Sequence, residues 1–132
     1  MVRLRTLMLT VSAIAAVSCN QSQPSAPQPK IEVRGAEQNG LHTLDAFNLS
    51  IALKRAIFDL GYKCQRVERA GFVSKYQNLD MWTAHCNDGR DWAIFAGPDG
   101  SAQVRDCKDF VGSDVPACAI REVPKGSFDK AG

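Results

Sequence analysis

The sequence predicts an α+β domain in which one amphipathic helix packs on a small antiparallel β-meander of three or four strands, stapled by two disulfides. Three observations carry this. Ala46, Leu49, Leu53, Ala56, Ile57 and Leu60 recur at the 3–4 spacing of one helical face. After residue 62 the pattern changes to period two and is broken by the turn formers Asp88-Gly89 and Gly97-Pro98-Asp99-Gly100. Four of the five cysteines, Cys64, Cys86, Cys107 and Cys118, fall within this region.

The chain opens on an export signal, residues 1–18. Arg3 and Arg5 form a positive start, residues 7–17 are apolar but for Thr10 and Ser12, and small residues follow at Ala15, Ala16 and Ser18. This apolar stretch is shorter than the roughly 20 residues a membrane-spanning helix needs. The chain has 16 Lys+Arg against 14 Asp+Glu, and removing Arg3 and Arg5 leaves 14 of each. A neutral mature chain without basic runs excludes electrostatic capture of nucleic acid.

Ala16-Val17-Ser18-Cys19 resembles the lipobox of bacterial lipoproteins. That resemblance implies that Cys19 is the lipidated first residue of the mature protein, facing the periplasm of a Gram-negative envelope. Cleavage by ordinary signal peptidase near the same site is the alternative. Cysteine parity favours lipidation, because assigning Cys19 to lipid leaves an even set of four in an oxidising compartment. Residues 20–29 hold three prolines and almost nothing apolar, as expected of a tether. A coil of about 20 residues reaches about 25 Å. The tether is expected to run from Cys19 through residue 40, with 30–40 a loop or a poorly specified strand.

The globular domain is then expected over residues 41–120, with a loose tail over 121–132. Its helix spans 44–60, with Thr43 as N-cap, Asp45 in the first turn and Gly61 as the left-handed terminator. Phe47, Ile51 and Phe58 widen its apolar surface, which predicts packing over much of its circumference. Residues 62–69 read as a first strand and 71–78 as a loop or irregular hairpin. Strands follow at 81–87, 90–96 and 101–107. Of the three pairings open to four cysteines, Cys64–Cys86 with Cys107–Cys118 is preferred. The first ties the segment after the helix to the meander and the second pins the tail to the last strand, each adding about 2–4 kcal/mol.

A two-residue turn at Asp88-Gly89 places Asn87 opposite Arg90 and His85 opposite Trp92. A four-residue second turn places Phe95 opposite Ala102 and Trp92 opposite Arg105. One face then carries Trp82, Ala84, Cys86, Ala93, Phe95, Ala102 and Val104 toward the helix. The other carries a cross-strand row of His85, Trp92 and Arg105, a candidate binding face because Trp and Arg concentrate at hot spots. A one-residue slip would exchange these sets.

The chemistry-bearing residues are sparse. His42 sits in a glycine-punctuated loop, and His85 and Cys86 point to opposite faces of a strand. No nucleophile elbow, phosphate loop, calcium loop or close cysteine pair occurs. No catalytic residue, metal or cofactor is therefore expected. The stretch from Cys64 to Cys107, with Trp82-Thr83-Ala84-His85-Cys86-Asn87-Asp88-Gly89-Arg90 and Gly97-Pro98-Asp99-Gly100, is similar to small exported proteins of Gram-negative bacteria. Its helix-then-meander layout also resembles PepSY modules, which implies an envelope location and an inhibitor role but carries over no site residue. The expected function is a non-enzymatic envelope lipoprotein presenting a binding domain, with the membrane and an envelope protein as partners. The alternatives are an inhibitor or chaperone-like module acting on an exported enzyme, and a small hydrolase using His85 or His42.

Overall fold

In the computed structural model of the protein, residues 33–126 are described. The expected signal peptide, Cys19, residues 20–32 of the tether and residues 127–132 of the tail lie outside them. The chain runs through α1 (Ala36–Leu41), α2 (Ala46–Asp59), β1 (Val67–Tyr76), β2 (Leu79–Cys86), β3 (Asp91–Ala96), β4 (Ala102–Asp106) and a 3-10 turn over Cys107–Phe110. The four strands form one antiparallel meander in the order β1-β2-β3-β4, which is the predicted α+β arrangement. Both preferred disulfides are present, Cys64–Cys86 and Cys107–Cys118, with Cα atoms 5.6 and 6.0 Å apart.

The helix α2 forms where the periodicity places it, and buries Ala46, Leu49, Leu53 and Ile57. Its N-cap is Asp45, not Thr43. The Asp45 carboxylate accepts from the Asn48 backbone N–H at 2.8 Å, while Thr43 donates its hydroxyl to the Gly40 carbonyl. That backbone donor, followed by the Asn48 side chain, holds the Asp45 carboxyl below its ordinary range. At the other end Gly61 takes φ 83. There its N–H donates to the Phe58 carbonyl and the Tyr62 N–H donates to that of Ile57, the paired bonds of a Schellman motif.

Residues 33–40, expected as tether, belong to the folded domain. A six-residue helix such as α1 does not hold by propensity alone. Arg34 grips Asp80 of β2 with two hydrogen bonds, at 3.1 and 2.6 Å. Gln38, 2% exposed, donates its amide to the carbonyls of Asn78 and Ala96. A Cβ on Gly35 would stand 1.8 Å from the Pro98 carbonyl oxygen, so only glycine lets α1 approach the β3–β4 turn. The polar composition that suggested a linker is what anchors the segment.

Residues 62–66 are a loop, and β1 continues through the segment expected as loop or irregular hairpin, up to a two-residue turn at Gln77-Asn78 with Gln77 at φ 57. The two later turns both differ from expectation by one residue. In each, a three-residue loop ends on a left-handed glycine: Asn87-Asp88-Gly89 with φ 82, and Pro98-Asp99-Gly100 with φ 77. Cys86 donates to the Arg90 carbonyl and accepts from Gly89, and Gly97 relates to Ser101 and Gly100 in the same way. These are G1-bulge loops. The pairs are therefore Ala84 with Trp92, Trp82 with Ile94, and Ala96 with Ala102. The first slip turns β3 over relative to prediction, and the second returns β4 to its predicted side.

Two cores result. Between α2 and the sheet lie Leu49, Leu53, Ile57, Trp82, Ala84, Cys86, Trp92, Ile94, Ala96 and Val104. On the far face Val73, Met81, Ala93 and Phe95 pack under Phe110, Val115 and the Cys107–Cys118 bridge. The chain after β4 is a strap across that face. Gly71 gives Ile120 room to cross β1, and Glu122 then bridges Phe72 along the β1 edge. The Lys125 carbonyl accepts from Ala46 at the start of α2. Residues 121–126, expected as loose tail, thus close the sheet edge.

Candidate functional site

The predicted row of His85, Trp92 and Arg105 does not form. Because β3 is turned over, Trp92 lies on the helix side, 3% exposed, while His85 and Arg105 belong to the other face. Trp92 stacks with Tyr62 at 4.7 Å between ring centroids. Its cationic neighbour is Arg90, 5.2 Å over the ring, in place of Arg105. Arg90 in turn binds Asp88, whose carboxyl is held below its ordinary range by that side-chain hydrogen bond first and the Arg90 backbone N–H second. Trp92 is a packing residue, and this face is not a docking surface built on it.

Both histidines are held by carboxylates. His85 Nδ1 lies 2.7 Å from Asp91 across the β2–β3 pair. His42 Nε2 lies 2.7 Å from Asp80, which is fully buried and shared with Arg34. The His42 ring also packs on Phe72 and Trp82, with centroids 4.8 and 4.7 Å away. A histidine–carboxylate pair becomes catalytic when it activates a nucleophile. Among the described residues neither ring is hydrogen-bonded to a hydroxyl or a thiol. Here the Asp80 cluster does something mechanical: a buried carboxylate in a strand satisfies its charge by fastening Arg34 and His42, at the two ends of α1, to the sheet.

Between α1, α2 and the β3–β4 turn lies a cleft of about 160 Å³. It exists because the facing positions are small, with Ala52 and Ala56 on α2 opposite Ala96, Gly97, Gly100 and Ala102. Leu41, Leu53 and Ile94 make it apolar, and Glu37 and Ser101 supply its polar lining. A dry cavity of roughly 150 Å³ is large enough for a benzene-sized group. Gln38 also lines the cleft, and its Oε1 is buried without a hydrogen-bond partner. Exchanging the amide's two ends would set this oxygen against the Asn78 and Ala96 carbonyls, so the orientation is chemically fixed. No group of three or more His, Cys, Asp or Glu side chains placed to hold a metal ion occurs among the described residues.

The outer face of α2 is the fourth feature, and it departs from the predicted packing. Phe47 and Phe58 are 70% and 72% exposed, with Ile51 between them half-buried. Leu60 and Tyr62, just beyond the helix end, are 48% and 41% exposed. The spacing 47, 51, 54, 58 sets Lys54 in the same stripe, turned away from the buried Leu49, Leu53 and Ile57. Sequence periodicity alone could not distinguish a helix buried around its circumference from one with a second, exposed apolar stripe.

Asp80 and Arg34 escaped sequence reading, although a lone acid within Leu79-Asp80-Met81-Trp82 is the signal of a buried carboxylate in need of a cation. Among the described residues no helix is long and apolar enough to cross a membrane. No family model, no curated protein and no solved structure matches this chain.

Proposed function

We propose that the protein is a non-enzymatic lipoprotein of the cell envelope, tethered through Cys19 and carrying a small binding domain at the end of that tether. The observation that carries this reading is the pairing of Cys64 with Cys86 and of Cys107 with Cys118. Disulfides persist in oxidising compartments, where an unpaired thiol is a liability. With four cysteines committed to one another, Cys19 is the odd one, and it stands at the lipobox-like sequence. The domain supports the binding role by what it covers and what it leaves open. Its sheet is covered on one face by α2 and on the other largely by the strap. The small-residue cleft and the outer stripe of α2 remain available to partners.

Fractionation of cells producing the protein and a Cys19→Ser variant tests the reading. After a high-salt wash, which strips electrostatically held protein, the natural protein stays with the membranes and the variant is released from the periplasm. Release of both, or retention of neither in the envelope fraction, overturns it.

A further inference from the structure

We infer that the outer face of α2 is a docking surface for an anionic phospholipid membrane. The surface combines the two elements such contact requires: exposed aromatic side chains and positive charge. Phe47 and Phe58 supply the first. Lys54 and Arg55, both exposed and without an ion-pair partner among the described residues, supply the second. Asp45 caps the start of α2 and Asp59 ends it, and between them the helix carries no acid.

Charge selects the occupant. A second copy docked symmetrically on this stripe would bring Lys54, near its middle, close to its own counterpart, a like-charge contact that disfavours such a pairing. A lipid surface bearing negative headgroups neutralises both cations while the phenyl rings enter the headgroup boundary. Ala52 and Ala56, which line the cleft, stand on another side of the helix. Membrane contact therefore leaves the cleft open.

This inference is independent of lipidation, and its test avoids Cys19. The described fold, with its core and both disulfides, lies within residues 33–126, so a protein comprising residues 20–132 carries everything it uses. Its sedimentation is measured with vesicles of phosphatidylcholine alone and of equal parts phosphatidylcholine and phosphatidylglycerol. Binding is expected to the mixed vesicles, to weaken with salt, and to be absent from phosphatidylcholine. Lys54→Gln with Arg55→Gln lowers the affinity about thirtyfold, from about 1 kcal/mol per cation. Phe47→Ser with Phe58→Ser lowers it at least about tenfold and leaves the melting temperature nearly unchanged, since both rings are exposed. The inference is overturned if the mixed vesicles do not bind the protein, or if binding survives the phenylalanine changes. Equal binding to both vesicle types also overturns it.

Discussion

Asp80 shows how one residue can decide where a domain begins. A carboxylate at zero exposure is tolerable only with its charge met, and Arg34 and His42 meet it from outside the sheet. Arg34→Ala leaves that carboxylate with the imidazole alone. We expect a loss of about 2–3 kcal/mol in urea unfolding, below the range for fully buried pairs because Arg34 is partly exposed. An unchanged midpoint would show that α1 is not fastened there. Trp92 makes a second argument at this scale. At 3% exposure between Tyr62 and the helix, Trp92→Ala should cost about 3–5 kcal/mol. A Trp92→Ala protein with undiminished stability would restore the exposed position that the sequence suggested.

At the scale of elements, α2 was legible from sequence because apolar spacing and a terminating glycine are strong local signals. Its exact start was less so, since Thr43 and Asp45 are both good caps and the choice depends on which backbone N–H is in reach. Asp45→Ala should reduce stability and helix protection in hydrogen exchange. Because folding holds the Asp45 carboxyl below its ordinary 3.8, its contribution is present above that value and is lost as pH falls through the lower folded value. The natural protein and the variant should therefore converge in stability only in strong acid, and a difference that vanished already near neutrality would contradict the cap.

The strands were legible, but the register between them was not. Asn-Asp-Gly and Pro-Asp-Gly both admit the three-residue loop, and in each the aspartate accepts from the residue after glycine. Asp-Gly alone reads equally well as a two-residue turn, and one residue of difference moved Trp92 from a candidate surface into the core. The candidate face was lost for that reason alone. Of the remaining site features, the cleft and the Asp80 cluster depend on contacts between distant segments that no local pattern encodes. The strap offers a test of one such contact. A Cβ on Gly71 would meet the Glu122 carbonyl oxygen and Ile120 at 2.4 Å, so Gly71→Ala should free residues 120–125 from the β1 edge. Limited proteolysis should then cut the strap near Arg121 far faster than in the natural protein.

For the whole molecule, the two disulfides, the strap and the Asp80 fastening all serve a domain too small to rely on its core. Each ties a terminal segment or loop to the sheet. The most direct measurement of that account is the intact mass of the protein recovered from membranes, before and after reduction. The account predicts a chain beginning at Cys19 with the added mass of acyl chains, and a gain of four hydrogens on reduction, two for each disulfide. A chain that retains residues 1–18, or one that begins near Cys19 without acyl mass, would contradict it.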